Sequence, residues 1–196
     1  MILVTAGQMQ RMDKTTINDF GIPGQVLMEN AGKGAFEFLM ARFGPDDTTK
    51  TAIIAGRGNN GGDGFVIARY LMEKGVPVTM ILLSSRDKVA GDARTNMILA
   101  QKLLAHRENS SFIEIPDPEA LETHRNTLVH QDLFVDAVFG TGLNSPVRGM
   151  FKDVIQIMNQ SKSPVFSVDI ASGLNSNTGA AMGTAVRASA TATFAH

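Results

Sequence analysis

The sequence contains no cysteine, and none of its hydrophobic runs is long. Without thiols it can form neither a disulfide framework nor a thiolate metal site. Its apolar runs fall short of the roughly 20 residues that cross a bilayer, and no basic residues precede the brief apolar start as they would in a secretory leader. We therefore expect a soluble, unprocessed chain with no membrane partner and with the cytoplasm as its default compartment.

An excess of positive charge is also missing. The 18 basic and 19 acidic residues give a net charge of -1, which cannot hold a nucleic-acid backbone. The chain has 196 residues, of which 43% are hydrophobic. This length and composition are enough for one well-packed domain, but the chain is too short for two ordinary domains. The composition predicts a single domain over residues 1–196 and no nucleic-acid partner.

Two regions of helical spacing, 6–19 and 26–42, come before any strand, and Gly-Ile-Pro-Gly at 21–24 separates them. From Thr51 onward, short apolar runs alternate with amphipathic stretches, a pattern typical of a mostly parallel sheet covered by helices. The predicted strands are 51–56, 76–84, 111–115, 132–139, 163–170 and 190–195, and the further helices are 64–75, 92–106, 118–130 and 149–160. We therefore expect an α/β fold preceded by two helices.

The last predicted strand has no helix after it, and the sequence ends at His196. A doubly wound sheet normally covers such a strand. We therefore expect either that natural sequence continues beyond His196, so that the chain is truncated, or that this strand lies at a sheet edge. Ahead of it, the Gly-, Ser- and Asn-rich stretch 172–184 predicts a long surface loop, and such loops are often functional.

A glycine-rich run, AGRGNNGGDG at 55–64, follows the first predicted strand and opens a helix. Glycines allow a tight turn and close approach of a phosphate, while the helix N-terminus attracts anions. Three of them match G-x-G-x-x-G, a weak signal by itself, and the run is also compatible with a capped turn that binds nothing. Asn59, Asn60 and Asp63 bring more polar side chains than one cap requires, although Asp63 alone suits a helix cap.

The residues at the end of the second predicted strand argue against a dehydrogenase. Such enzymes carry an acidic residue near the end of that strand to bind the ribose hydroxyl, but here the strand ends in Ser84, Ser85 and Arg86. Arg86 suits a 2'-phosphate, as in an NADP enzyme, yet a solvated surface arginine is the favoured interpretation.

Two aspartates interrupt apolar runs at predicted strand ends, where ligands of open α/β sheets bind. Asp136 follows LFV and Asp169 follows VFSV. A carboxylate in such a place needs hydrogen bonds, an ion pair or a cation, so each either accepts loop N–H groups or serves a site. Together with Asn60 and Ser172, Asp136 offers oxygen atoms that suit a hard, monovalent cation.

Six separate stretches resemble one known family. They are QRMD at 10–13, GIP at 21–23, LMENAG at 27–32, the glycine run at 56–64, VDAVFGTGL at 135–143 and VDIASG at 168–173. Together they cover nearly the whole chain in order. They are similar to the landmarks of the NAD(P)HX epimerases, the YjeF N-terminal-domain proteins.

The resemblance implies a Rossmann-like three-layer α/β/α fold, usually a homodimer, that binds hydrated NADH or NADPH (NADHX or NADPHX) and interconverts the R and S epimers at C6. It also implies a potassium ion held by Asn60, Asp136 and Ser172. The substrate contacts implied are Asn59, Asn60, Gly61, Gly62, Asp63, Gly140, Thr141, Gly142, Leu143, Asn144, Ser145, Pro146 and Asp169. Bacterial relatives often carry a fused ADP- or ATP-dependent dehydratase, which predicts that this chain corresponds to the N-terminal domain of a bifunctional repair enzyme.

Three positions depart from the usual pattern of the family. Ala171 stands where proline is common, Asn175 where aspartate is common, and Ser145 where arginine often occurs. These changes concern fine substrate contacts, phosphate recognition above all. The strand-end aspartates and the implied cation ligands are unchanged.

Inversion at C6 requires either loss and return of the hydroxyl oxygen or opening and reclosure of the ring, and both routes need proton transfer. Asp169 matches the catalytic position of the family, and a strand-end carboxylate can be held within hydrogen-bond reach of a bound hydroxyl, so it is the expected general acid/base. Two other classes stay open, a noncatalytic binding or scaffold module and an NADP-dependent dehydrogenase, because fold alone does not settle function.

Overall fold

Two helices precede the first strand, as predicted. The computed structural model describes residues 4–194 and begins with α1 (Ala6–Asn18) and α2 (Gly24–Phe43). Thr5 starts α1 with a capping box: its side chain accepts from the Gln8 N–H, and the Gln8 amide accepts from the Thr5 N–H at 2.7 Å. Gly44 ends α2 in the left-handed conformation, φ 55°. These bounds lie within two residues of the expected ones.

The sheet contains six strands within residues 4–194, and every pair of neighbours is parallel. The strands are β1 (Thr51–Ala55), β2 (Val78–Leu82), β3 (Ser111–Glu114), β4 (Leu133–Ala137), β5 (Val165–Val168) and β6 (Ala190–Ala192). Their order is β3-β2-β1-β4-β5-β6. The predicted last strand does lie at a sheet edge, although its final residue, 195, lies outside the described residues.

Helices cover both faces of this sheet and make three layers. After β1 the chain forms α3 (Asn59–Glu73), α4 (Gly91–Leu104), α5 (Pro118–Val129) and α6 (Gly149–Gln160). One hydrophobic core joins α2, α3 and α4 to one face, and a second joins α5 and α6 to the other. Strand residues alternate between the two cores, as in β1, where Ile53 belongs to the first and Ile54 to the second.

The chain changes direction across the sheet between β1 and β4. From β1 it proceeds outward to β2 and β3, and it then returns to pair β4 on the other side of β1. At such a switch point the loops after the two strands separate and leave a crevice beyond their carboxyl ends. The glycine-rich turn after β1 and the 138–148 loop after β4 both lie here. None of the helices between residues 4 and 194 is long and apolar enough to cross a membrane.

Candidate functional site

The glycine run forms a short turn and then the first turns of α3. Gly58 is the N-cap residue and has no side-chain cap bond, so residues 59–63 are already helical. Asp63 is the fifth residue of the helix, too far along to cap it, and the expectation that it serves as a cap is wrong. Gly56 ties the turn to β4 by donating its N–H to the Ala137 carbonyl at 3.0 Å.

Several glycines of this run are required by close packing. A Cβ added to Gly61 would lie within 3.0 Å of the Gly56 carbonyl, which is backbone and cannot rotate away. On Gly64 it would lie 2.7 Å from the Ala137 Cβ. Gly58, by contrast, has open space around it and a φ of -93°. The helix therefore starts directly against the strand ends because Gly61 and Gly64 lack side chains.

Gly61→Ala is expected to lower the free energy of unfolding by about 1–3 kcal/mol, because an added methyl has to displace backbone in a packed region. Gly58→Ala is the matched control, since an added methyl meets open space there, and it should change stability by no more than about 0.5 kcal/mol. Urea denaturation of both variants measures the difference. Equal stabilities would show that the close approach of Gly61 to Gly56 does not matter.

Asn60 lies at the start of α3, and its amide has no hydrogen-bond partner within residues 4–194. The residue is 8% exposed, and both Nδ2 and Oδ1 are buried without a partner among the described residues. A Cβ built on Gly140 would lie 3.4 Å from the Asn60 Cβ and 2.6 Å from Asp169 Oδ2. Asn60, Gly140 and Asp169 therefore meet at one place. Unpaired buried amides are costly, so this side chain is suited to receive a ligand.

Asp169 follows β5 in a strained conformation. Its φ is 67°, the one positive value outside glycine in residues 4–194, and such strain concentrates at functional sites. Its N–H donates to the Ala192 carbonyl at 2.7 Å, and its Oδ2 accepts from the Thr141 N–H at 2.9 Å. Burial raises the pKa of this carboxyl, hydrogen bonds from Thr141 oppose the rise, and the charge of Asp13 adds to it. The carboxyl is thus held in one place and made more basic.

Two further carboxyls interact electrostatically with Asp169. Asp63 is 9% exposed, and burial raises its pKa well above the ordinary value, with further contributions from the charges of Asp169 and Asp13. Asp13 belongs to α1, and partial burial raises its pKa as well. Asp13 is not among the site residues predicted from the sequence, where its one signal is membership of the QRMD stretch at 10–13.

Asp136 is buried completely and holds neighbouring loops together. Its carboxylate accepts from the Ser172 N–H at 2.9 Å, the Ser172 hydroxyl at 2.5 Å, the Ser167 hydroxyl at 2.8 Å and the Val138 N–H at 3.4 Å. Ser172 Oγ in turn accepts from the Phe139 N–H at 2.9 Å. Burial raises the pKa of Asp136, whereas these hydrogen bonds lower it. The contacts show that this aspartate is an acceptor for loop groups, and its role in cation binding stays a prediction.

The implied cation ligands supply oxygen atoms of the right kind. Asn60 has an unpartnered amide oxygen, Asp136 brings a buried negative charge, and the Ser172 hydroxyl lies beside that charge. Within residues 4–194 no group of three or more His, Cys, Asp and Glu side chains could hold a metal ion. The set therefore fits a hard monovalent cation better than a divalent or a soft one.

The loop after β4 divides into a part near the carboxyls and a part away from them. The Thr141 N–H donates to the Asp169 carboxylate, and the Thr141 carbonyl accepts from the Ser176 hydroxyl at 3.1 Å. Leu143 packs against the second core. Residues 144–146, in contrast, are exposed. Asn59 is exposed too. The predicted substrate loop thus approaches the site through its first residues.

Two of the departures from the family pattern have a local explanation. Asn175 Oδ1 accepts from the N–H groups of Asn177 and Thr178 at 3.0 and 3.1 Å, which an aspartate would also do. Ala171 is 6% exposed and packs in the second core. Nothing in the structure explains Ser145.

Arg86, the residue that had suggested a 2'-phosphate, is engaged elsewhere. Its side-chain Nε donates to Glu114 Oε1 at 2.6 Å, and its backbone N–H donates to Glu114 Oε2 at 2.7 Å. The side chain remains 60% exposed. This surface ion pair matches the favoured interpretation and further weakens the dehydrogenase alternative.

Comparisons with known proteins agree with the geometry. The family described as YjeF-related protein N-terminus matches residues 24–196. A bifunctional NAD(P)H-hydrate repair enzyme from Salinibacter ruber is 38% identical over 195 residues, which are 98% of this chain and 36% of that protein. An NAD(P)H-hydrate epimerase from Weissella koreensis is 37% identical over 193 residues, 98% of this chain and 80% of that protein.

A solved structure supports the fold. The crystal structure of the yeast protein ynu0, YNL200c, superposes with a TM-score of 0.79 and 22% identity, over 97% of this chain and 79% of that one. The chain spans just over a third of the length of the bifunctional relatives that it matches, 36% in each of two. The family match covers α2 to the end of the sequence, and the epimerase relatives cover nearly all of it. The chain therefore belongs to the YjeF-related protein N-terminus family.

Proposed function

We propose that this chain interconverts the R and S epimers at C6 of hydrated NADH or NADPH. The relatives named NAD(P)H-hydrate epimerase support this activity, since they are 35–38% identical over nearly the whole chain. The observation that carries the proposal is the meeting of Asp169 with the unpartnered Asn60 amide at Gly140. Inversion at a ring carbon that carries a hydroxyl requires an acid/base group, and a free amide beside that group can bind the polar substituents of the ring.

Asp169 is the proposed general acid/base. In hydrated NAD(P)H, C6 carries a hydroxyl and is bonded to the ring nitrogen, so inversion needs a proton to be moved at that oxygen. Thr141 and the strained backbone hold the Asp169 carboxyl in position, and its raised pKa brings it nearer to the neutral range in which acid/base catalysis is efficient. The Asn60 amide supplies a hydrogen-bond donor and an acceptor for the ring substituents. The first residues of the 140–146 loop form one side of the proposed substrate site.

Potassium is the proposed ion, with Asn60, Asp136 and Ser172 as the residues that would hold it. Asp136 already accepts four hydrogen bonds, so the free Asn60 oxygen and the buried charge of Asp136 are the main contributions. A bound monovalent cation would orient the substrate and stabilise developing negative charge on oxygen.

The test of the activity follows an R-enriched NADPHX sample by chiral-resolving chromatography or NMR near neutral pH, with and without the protein. In potassium buffer we expect accelerated approach to the epimer equilibrium. Tetramethylammonium in place of potassium should slow it at equal ionic strength, because the methyl groups of that ion prevent direct coordination by the oxygen atoms of Asn60 and Asp136.

Three results would contradict these proposals in different ways. Equal rates in the two salts would remove potassium but leave the activity. Tight NADPHX binding without any acceleration would remove the activity and favour the noncatalytic binding module. Formation of oxidised or reduced nicotinamide would point instead to the dehydrogenase.

The proposed setting of this activity is a homodimer in the cytoplasm that supplies the S epimer to an ADP- or ATP-dependent dehydratase, fused or separate. Exposed large apolar side chains in α2 and in the turn before it support self-association: Phe20 is 76% exposed, and Val26 and Phe38 are each over 40% exposed. Sedimentation velocity at micromolar concentration tests the dimer, and a monomer would overturn it.

A further inference from the structure

Helix α2 carries none of the predicted site residues, although the LMENAG stretch at 27–32 belongs to it. It packs against α3, the helix that carries Asn60 and Asp63. At Gly32 the two helices approach closely: a Cβ added there would lie 2.5 Å from both Cβ and Cγ1 of Val66 and 3.2 Å from the Asp63 carbonyl oxygen. Gly32 and Val66 are both buried. The missing side chain of Gly32 therefore sets how near α2 lies to the first turns of α3.

A second contact of the LMENAG stretch lies at Gly62, in the first turn of α3. A Cβ added to Gly62 would lie 2.6 Å from Met28 Sδ and 2.9 Å from the Ala93 Cα of α4. Met28 is buried, and its sulfur accepts from Asn96 Nδ2 at 3.2 Å, which also joins it to α4. The first turn of α3 is therefore in contact with both neighbouring helices, and it fits between them because Gly62 has no side chain.

On its other side, the start of α3 has no free space toward the sheet. A Cβ added to Gly61 would meet the Gly56 carbonyl, and one added to Gly64 would lie 2.7 Å from the Ala137 Cβ. These are contacts with backbone and with a buried strand residue, which cannot rotate away. Because such interiors are close-packed, α3 cannot move toward the sheet to make room for extra atoms on the α2 side.

Helix α2 is also attached to α3 by polar contacts farther along. The Tyr70 hydroxyl donates to Glu29 Oε1 at 2.8 Å, and Arg69 forms an ion pair with the same carboxylate. Glu29 lies within the LMENAG stretch, one turn before Gly32. If α2 moved away from α3 it would have to give up these contacts. An added methyl at Gly32 must therefore either displace the first turns of α3 or detach the helix that holds them.

The position of Asn60 depends on these helix contacts. Its amide is 8% exposed and makes no hydrogen bond to any described residue, so the backbone of α3 is what holds it in place. Asp169, in contrast, is fixed separately, by the Thr141 N–H and by the bond of its own N–H to the Ala192 carbonyl. A shift of α3 therefore moves Asn60 relative to Asp169.

We propose that Gly32 is a positioning residue of the epimerase site. It acts through Val66 and the Asp63 carbonyl on the first turns of α3, and so sets the distance between the Asn60 amide and the Asp169 carboxylate. The proposal rests on the activity proposed above. Because misplacement of a bound group by about 1 Å can cost roughly a hundred-fold in rate, a packing contact outside the crevice is sufficient to control turnover.

The first experiment compares Gly32→Ala with Gly34→Ala in the epimer assay. The two variants add the same methyl to the same helix, but an added Cβ at Gly34 has open space around it. At a temperature at which thermal unfolding shows both to be folded, we expect kcat of Gly32→Ala to fall about ten-fold or more and kcat of Gly34→Ala to stay within two-fold. A residue with only a structural role would lower the unfolding temperature and leave kcat of the folded protein unchanged, and that result would overturn the proposal.

A compensating variant tests whether the effect passes through Val66. Val66→Gly removes both atoms that the new methyl would meet at 2.5 Å. The double variant Gly32→Ala/Val66→Gly should therefore recover kcat at least three-fold relative to Gly32→Ala, and the non-additivity of the two changes measures their coupling. If Gly32→Ala does not fold, recovery of a folded and active protein in the double variant is the expected result. Strictly additive losses would contradict the proposal.

A readout independent of turnover is the NMR signal of the Asn60 side-chain amide in nitrogen-15-labelled protein, assigned by its absence from Asn60→Asp. We expect this signal to shift in Gly32→Ala and to stay in place in Gly34→Ala. An unshifted Asn60 signal in folded Gly32→Ala would remove the positioning role even if the unaltered protein is an epimerase. If the unaltered protein does not interconvert the epimers, the proposed function fails, and the Asn60 signal alone then decides whether Gly32 positions this amide.

Discussion

Asp169→Asn is expected to lower kcat for C6 epimerisation by roughly a hundred- to ten-thousand-fold, the usual contribution of positioned proton transfer. The change should leave the structure in place for two reasons. Asparagine tolerates the left-handed backbone that Asp169 adopts at φ 67°, and its amide oxygen can still accept from the Thr141 N–H. NADPHX binding should persist, because shape and the Asn60 amide are unchanged.

The measurement is the epimer assay with saturating substrate, accompanied by a binding titration. Asp153→Asn, on the exposed side of α6, is the control for loss of one negative charge and should retain full activity. An Asp169→Asn variant with normal kcat would remove Asp169 from the mechanism. Loss of binding with normal kcat at saturation would make it a substrate-positioning residue instead.

Asp136→Ala is expected to have the largest effect on stability, lowering the free energy of unfolding by about 3 kcal/mol or more. The change removes an acceptor of four hydrogen bonds and leaves buried donors of Ser172 and Ser167 without partners. Each hydrogen bond to a charged group contributes about 1.5–3 kcal/mol, and each stranded buried donor costs about 1–3 kcal/mol. The loop that carries Phe139 is weakened as well, since Phe139 donates to the Ser172 hydroxyl that Asp136 holds in position.

Urea denaturation at neutral pH measures this loss. Ser167→Ala is the comparison variant, because it removes one donor and keeps the carboxylate with its remaining partners; its cost should be about half or less. A cost below about 1 kcal/mol for Asp136→Ala would show that the hydrogen bonds around this carboxylate contribute little to the fold. It would then favour a role for Asp136 in ligand or cation binding alone.

The sequence by itself determined the order and type of the elements and the place of the site. Strands such as 51–55 and 133–137 are short, apolar and separated by amphipathic helices, and such local patterns do not depend on what packs around them. In a parallel sheet, moreover, residues that follow strands share one edge. Asp169 and the glycine run could therefore be placed beside one another before any contact was known.

Only the tertiary structure decided what each polar group does there. Asp136 and Asp169 look alike in sequence, yet one is fully buried and the other faces a crevice. Ser167, Ser172 and Val138 donate four hydrogen bonds to Asp136, whereas within residues 4–194 the Asp169 carboxylate accepts from Thr141 alone. The unpaired amide of Asn60 depends on the same packing. The position of α1 also depends on this packing, because its contact with the 172–184 loop joins Ala6 to Asn177, which are 171 positions apart in the sequence. Such distances are set by the packing of helices on the sheet, which no local pattern encodes.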